Sequence, residues 1–562
     1  MVNSVEVVRG ASPLDIVPLG GLGEFGMNMM TYRMGDSMIV VDAGIKFPGH
    51  EHRGVNVILP DTSYLKEHKG ALDGIVLTHA HEDHIGALPH IIRMLGVPVY
   101  GTKLTLGMVR KRLAERDLLG IVDLREITPG ESFAVGDFGV ELVHVTHSLA
   151  DAVAVVLDTP FGKVLHTGDF KVDDAPPVGP PIDLKRLAAI GNEGVLCMLS
   201  DSTNAEVPGS TGSEASVLEA IEEQVRTAPG RVLVCCFTSS THRIQLALDA
   251  AAKMDRKVFL AGRSMVDNIG IASDLGYMRI PGGLLRELDT ISNHPRSEQL
   301  VIAAGSQGEQ LSALSQIASG NHRHVKLEAG DRVILSARVI PGNELAVNRL
   351  VNKLFRDGID VIQRREAQVH VSGHAAADDL DMVLRLVKPS SFIPIHGEWR
   401  QLYHHARIAR ESGVDADQVF IAEDGHRIQL DGSGAKFVDQ FDLEPKFVDA
   451  SGLGLVDDCI VRDRRNLSET GVVVPMISLS GDREPYVSDI LTRGFIENNN
   501  AETLLSDAHD AMLKAIDEMG DAGADNEKAI EEVVEATLKR FFRKRSVRRP
   551  VILPVVVESE PS

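Results

Sequence analysis

Cysteine is scarce. The 562 residues contain only Cys197, Cys235, Cys236 and Cys459, with no C-x-x-C spacing. The first three lie in apolar, strand-like runs, so they read as core thiols of a reducing compartment and not as a disulfide framework. Basic charge is also short: 58 Lys and Arg face 80 Asp and Glu, a formal charge of −22. That balance excludes polyanion binding by the whole surface. It leaves open a nucleic-acid substrate at a local cleft, where the near field outweighs the sum. No apolar run is long enough to span a bilayer, and the first residues lack the basic start and apolar core of a secretory leader. A membrane role is therefore not expected, and a cytoplasmic location is. The length exceeds what one core fills, so two to four domains are expected.

What the chain has is histidine in one place. Thr78-His-Ala-His-Glu-Asp-His84 puts His79, His81, Asp83 and His84 within six positions. The apolar run Gly74 to Leu77 before it reads as a buried strand, and Ile85 to Leu95 after it as a helix. The cluster thus sits on a strand-to-helix turn, the edge where α/β sheets build sites. Alternate residues of an extended segment point the same way, so His79 and His81 can approach one ion together. Asp83 and His84 lie past the bend and can face a second. Imidazole and carboxylate at this density suit zinc, with manganese second.

The same grammar recurs: an apolar strand, then a ligand-type residue. It gives Asp42 after Met38 to Val41, His147 after Val140 to Val145, Asp169 after Lys163 to Leu165, and Asp201 after Val195 to Leu199. It returns with a strand at Gln368 to Val371 before Ser372-Gly373-His374-Ala375, and with Ser391 to Ile395 before His396. One case could be capping; the repetition predicts strand ends converging on one site. Asp42 is expected to orient a metal-binding histidine from behind. Gly21-x-Gly23-x-x-Gly26 matches a dinucleotide fingerprint literally, but the residues that follow read as a hairpin, which rejects it.

Seven ligand candidates suit two ions. One shell would be His79, His81 and His147; the other Asp83, His84 and His396; Asp169 would bridge. Such a pair lowers the pKa of a shared water and clamps an in-line phosphoryl displacement. His374 is then free to stabilise the phosphate or to protonate the leaving oxygen, with Glu82 a weaker shuttle candidate. Residues 205–365 change to alternating helices and strands and read as a separate α/β domain. The turns at Ser239-Ser240 and Gly262-Arg263-Ser264 could hold phosphates or cap helices. The expected division is 1–205, an insert 206–365, a return 366–432, a linker 433–447 and a small α/β domain 448–562. In the last, Lys539 to Arg549 is a basic run that reads as a solvated helix end or as an RNA or partner contact.

The Asp42, His79-x-His81-x-Asp83-His84, His147 and Asp169 series resembles the metallo-β-lactamase superfamily. Asp201-Ser-Thr, Ser372-Gly-His374-Ala and Ile395-His396-Gly-Glu, placed around a long insertion, are similar to its β-CASP nucleases. The opening Pro18-Leu-Gly-Gly-Leu-Gly-Glu-Phe-Gly-Met-Asn28 and the Gly262-Arg263-Ser-Met265 turn resemble the bacterial ribonuclease J family. The resemblance implies a four-layer αββα core split by a β-CASP domain, with RNA entering between them. It implies two Zn2+ per chain, with Mn2+ or Mg2+ as substitutes. It also implies a 5′-to-3′ exonuclease favouring 5′-monophosphate, single-stranded ends, with endonuclease action, in RNA maturation and decay. Asp201, His374 and His396 match the three β-CASP motif residues, which makes Asp83, Asp201 and His374 the catalytic candidates. Ser239, Ser240, Arg263, Ser372, Gly373, His374 and Ala375 become candidates for holding RNA. The family often forms dimers or tetramers, and RNA-degradation or ribosome-associated partners are expected. A DNA-directed β-CASP nuclease and a small-molecule hydrolase of the superfamily are the competing readings.

Overall fold

The computed structural model describes residues 12–49, 51–309, 311–340, 342–449, 455–479, 485–496, 501–519, 526–545 and 549–558. Strand Ser37–Val41, wholly buried, pairs antiparallel with Met29–Met34 and parallel with Leu72–Val76. The hairpin 29–41 is the one expected from sequence. These strands form the middle of an eight-stranded sheet that runs from Gly434–Gln440 at one edge to Leu124–Glu126 at the other. A six-stranded sheet follows, from Ser391–Ile395 through Val195–Asp201, Gly162–His166, Val153–Thr159 and Phe138–His144 to Ser132–Val135. One apolar core joins the two sheets, with Ile39, Val41 and Val76 meeting Leu142, Val155 and Leu199. A second core covers the far side of the six-stranded sheet with helices Leu184–Glu193, Ala377–Val387 and Trp399–Glu411. Helices Leu88–Leu95 and Lys103–Ala114 follow strands of the first sheet. This is the αββα sandwich.

The insertion carries its own sheet. Strands Val232–Cys235, Lys257–Ala261, Gln299–Ala303, Arg332–Leu335 and Asp360–Ile362 run parallel with Leu285–Arg286. Their buried Val, Leu and Ile runs suit a sheet covered on both faces. Arg243, fully buried at the start of helix Thr241–Lys253, ties the insert to the chain returning from it. Its guanidinium donates to Ser336 Oγ (2.6 Å), to Val369 O (2.7 Å) and to Glu214 Oε2 (2.6 Å). Glu214 in turn faces the buried Lys171 ammonium at 3.5 Å.

Two expectations about elements change. Residues 368–371 form no strand: the Val369 N–H turns back to Ala367 O (2.7 Å), and the Val369 carbonyl is held by Arg243 and Ser336 instead of a neighbouring strand. The stretch 433–447 is not a plain linker. Asp431-Gly-Ser-Gly434 closes a hairpin, and Gly434–Gln440 becomes an edge strand against His426–Asp431.

The chain separates into two compact units, residues 1–47 with 58–445, and 48–57 with 446–562. In the second unit, strands Val472–Leu479, Pro485–Arg493, Val551–Ile552 and Val555–Glu558 pack on helices Ala501–Asp517 and Glu527–Arg545. Phe542 of the basic run is buried in that core, and Arg545 lies over the Phe541 ring; positions 546–548 of the run lie outside the described residues. Among the described residues, no helix is long and apolar enough to cross a membrane.

Candidate metal centre

The turn that carries the histidines is locked from behind. Asp42, in a left-handed conformation (φ 64°) just past its strand, accepts the Thr78 N–H and the Thr78 hydroxyl, each at 2.8 Å. Gly44 passes so close to Asp83 that a β-carbon there would sit 1.6 Å from the Asp83 carbonyl oxygen. Backbone bonds from Ala43 to His84 O (2.7 Å) and from Ile45 to Glu82 O (3.1 Å) hold the two segments together. The Asn28 amide adds a bond to Asp83 O at 3.0 Å. Asp83 and His84 therefore sit in a short helical turn, Glu82–Ile85, with Leu88–Leu95 following as a separate helix.

Seven of the residues singled out from sequence come together in two groups. His79, His81, His147 and Asp169 form one; Asp83, His84, His396 and Asp169 form the other. In the first, His81 Nδ1 lies 3.1 Å from His79 Nε2 and 3.1 Å from His147 Nε2, while Asp169 Oδ2 is 3.7 and 3.8 Å from those two Nε2 atoms. In the second, Asp169 reaches His84 Nε2 at 3.3 Å and His396 Nε2 at 3.5 Å, and Asp83 Oδ2 is 3.8 and 3.4 Å from them. Ligands about 2.0–2.1 Å from a tetrahedral ion stand roughly 3.3 Å apart along each edge. The donor spacing in both groups fits such an ion, and Asp169 is common to both.

Each ring has its outer nitrogen engaged. His84 Nδ1 meets Asp42 Oδ2 (2.7 Å), His79 Nδ1 meets Thr78 Oγ1 (3.0 Å), and His147 Nδ1 donates to Gly373 O (2.6 Å). His396 Nδ1 meets Thr203 Oγ1 (2.7 Å), and His81 Nε2 meets Ser148 Oγ (3.3 Å). With those nitrogens carrying the protons, the inward ones present lone pairs. Asp42 thus orients His84 directly and His79 through Thr78.

The charge environment differs between the two groups. Burial above all keeps His79, His81 and His147 neutral, with His81 drawn down to about 4. Burial also opposes protonation of His84 and His396. There, however, the carboxylates win: Asp169, Asp42 and Asp83 around His84, and Asp169, Asp201 and Asp83 around His396, raise both well above the usual imidazole range. Burial would raise Asp83, Asp169 and Asp201, but the facing histidines pull all three well below the usual carboxylate range.

A third group, Asp169, Asp201, His374 and His396, also lies within ligand distance. Its central contact is of another kind. His374 Nδ1 and Asp201 Oδ2 are 2.7 Å apart, a hydrogen bond too short for the edge between two ligands of one ion. Asp201 spends its other oxygen on the Thr203 N–H (2.9 Å) and hydroxyl (2.7 Å).

The residues considered for RNA fall in different places. Ser372 Oγ accepts from the Asn204 amide (2.8 Å), Gly373 faces His147, and buried Ala375 donates its N–H to Phe170 O (2.7 Å). Ser240 is buried, its hydroxyl 3.2 Å from Ser148 O, which joins the insert to the residue that holds His81. Ser239 is half-buried beside it, and Arg263 is exposed at the start of helix Arg263–Asp274. Glu82 is paired with Arg112. Sequence reasoning gave no role to Thr78, Ser148, Thr203 or Asn204. All four adjoin the motif residues, which was the available signal; their side-chain directions were not readable from spacing.

The comparisons with known proteins follow this geometry. Residues 27–262 match the metallo-beta-lactamase superfamily, 229–354 the ribonuclease J beta-CASP domain, 358–420 the Zn-dependent metallo-hydrolase RNA specificity domain, and 459–559 the ribonuclease J C-terminal domain. Ribonuclease J 1 of Streptococcus pyogenes is 37% identical over 96% of this chain and 97% of its own length. This chain belongs to the ribonuclease J family. Ribonuclease J of Thermus thermophilus is 38% identical over 97% of this chain and 95% of its own. That of Synechocystis is 40% identical over 83% and 73%. A crystal structure of a protein of unknown function from Enterococcus faecalis V583 shares the fold, with TM-score 0.51 and 15% identity over 75% of this chain and all of that one. The αββα core with a β-CASP insert is thus the ribonuclease J architecture, and its His/Asp cluster has the donor set and spacing to hold metal.

Proposed function

We propose that the chain is a metal-dependent ribonuclease that hydrolyses RNA phosphodiester bonds. The single observation that carries this is the pair of ligand groups sharing Asp169, with every imidazole oriented from behind, in a chain of ribonuclease J sequence. His79, His81 and His147 would hold one ion and Asp83, His84 and His396 the other, with Asp169 between them. Zinc suits the nitrogen-rich donors best, with Mn2+ or Mg2+ as substitutes. Bound ions would supply Lewis-acid polarisation of the phosphoryl group and a more acidic water. His374 acts on the leaving group: Asp201 fixes its Nδ1, so Nε2 can exchange a proton with the departing oxygen. The Asn204 amide (3.0 Å) and Thr211 hydroxyl (2.7 Å) bond the His374 carbonyl and hold that ring's backbone still. Asp83, held as a carboxylate by His84 and His396, would serve the second ion.

In this reading the enzyme works 5′ to 3′ from single-stranded, 5′-monophosphate ends and also cuts internally, in RNA maturation and decay. The parallel sheet between residues 232 and 362 supports placing the inserted domain at 206–365. Ser239, Arg263, Ser372 and His374 would contact the RNA, with buried Ser240, Gly373 and Ala375 shaping the turns behind them, and the protein would act as a homodimer or homotetramer in the cytoplasm. The test uses one RNA bearing a 5′-monophosphate or a 5′-triphosphate, with and without chelator. Mononucleotides released mainly from the monophosphate form, and lost with chelator, are expected. Fragments independent of the 5′ end would reassign it as an endonuclease, and no cleavage with any metal would overturn the reading.

A further inference from the structure

Helix Trp399–Glu411 starts three residues after His396. One side of it is spent on the core through Leu402, Ala406 and Ala409. The other side is open: Trp399 is 48% and Tyr403 60% exposed, and Arg400, Arg407 and Arg410 are exposed with them. Positions 399, 403 and 407 follow one another at single-turn spacing and form one stripe. The whole chain has one Trp and six Tyr, so two aromatics with three arginines on one helix face is a local enrichment; Arg400 is paired with Glu206 (2.7 Å) and Arg407 with Glu411 (3.7 Å), partners that a phosphate would displace.

We propose that this stripe is a track for single-stranded RNA outside the catalytic cleft. Bases would stack on Trp399 and Tyr403, and phosphates would pair with Arg400, Arg407 and Arg410. The proposal rests on the ribonuclease reading above. Interleaved aromatics and arginines are what sequence-tolerant single-strand binding needs, since every base has a face to stack and every linkage a charge. The position fits. Phe25, of the glycine loop on which Trp399 lies, meets the His396 ring edge-on at 6.1 Å, and a β-carbon on Gly23 of that loop would be 3.3 Å from Trp399 Nε1. Arg400 Nε pairs at 2.7 Å with Glu206, two residues beyond the Asn204 that holds Ser372 and His374. The track therefore begins at the cleft and leads away along the helix for about 16 Å, room for roughly four stacked nucleotides. Trp399 also lines a cavity of about 500 Å3 together with Glu24, Asp61, Glu423 and Asp424.

The test uses the full-length, metal-loaded protein and two 5′-monophosphorylated RNAs of the same 5′ sequence, roughly five and thirty nucleotides long. Tyr403→Ala with Arg407→Glu should raise KM for the long RNA about tenfold, leave its kcat unchanged and leave cleavage of the short RNA within about twofold. Both positions are exposed, so folding is not at risk. In the unaltered protein, a long phosphorothioate RNA should quench the fluorescence of Trp399, less so as salt rises. An unchanged KM for the long RNA, with the short RNA cleaved normally, would overturn the track and leave the ribonuclease reading standing. Quenching by a mononucleotide as strong as by the long RNA would also overturn it. Failure to cleave either RNA would count against the ribonuclease reading, while the fluorescence titration would still decide the track.

Discussion

His81 differs from the other four ligand histidines in the nitrogen it turns inward. It presents Nδ1 and leaves Nε2 to Ser148, whereas His79, His84, His147 and His396 present Nε2. Its ring therefore reaches the first group from the shortest lever, with Nδ1 at 3.1 Å from both neighbours. His81→Ala is expected to remove one equivalent of metal and lower cleavage by a hundredfold or more. Metal content by atomic emission beside a cleavage assay checks it; full activity in a metal-replete variant would sink the two-ion assignment. His374 stands on the other side of the division between binding and chemistry, because its contact with Asp201 is a hydrogen bond. His374→Ala should keep both metals and slow single-turnover cleavage about 10²–10⁴-fold. Loss of metal in that variant would make His374 a ligand.

At the scale of elements, the site is built by strand ends and by the loops behind them. The Asp42 loop and the Glu82–Ile85 turn interlock through backbone bonds, with Gly44 against the Asp83 carbonyl. Gly44→Ala should push this turn outward, cost about 1–3 kcal/mol of stability and lower affinity at the Asp83, His84 and His396 group. Thermal melts with a chelator titration would show it; unchanged metal affinity would refute the interlock. The clustered His and Asp residues were legible in sequence because they follow apolar strands or, as with Asp83 and His84, the turn after one. The site appears at the strand ends of the αββα core, and spacing along a strand tells which way a side chain faces. The loops were less legible. Residues 368–371 have a strand's composition, yet their carbonyl bonds go to Arg243 and Ser336, which lie far away in the chain. Thr203 and Ser148 act through side-chain direction, which periodicity does not carry. The turn Asp431-Gly-Ser-Gly434 was a hairpin signal overlooked beneath a polar, linker-like composition.

At the scale of the molecule, residues 446–562 have a core of their own, with Val473, Ile477, Met512, Val534 and Phe542. Among the described residues, none of the clustered candidate ligands comes from it. Deleting residues 448–562 is expected to change the assembly state while single-turnover cleavage stays within about twofold. Light scattering and rapid-quench kinetics together check this; an unchanged assembly with abolished cleavage would contradict it.

The order of the chain also sets when the enzyme can exist. Strand Val195–Asp201 pairs with Ser391–Ile395, and the whole β-CASP domain is synthesised between them. On a ribosome, the six-stranded sheet keeps an open edge until the insert has emerged, about 10–40 s at ordinary synthesis speeds. His396, at the end of that last strand, is the final member of the second ligand group to appear. The second ligand group is therefore incomplete until the whole insert has been made.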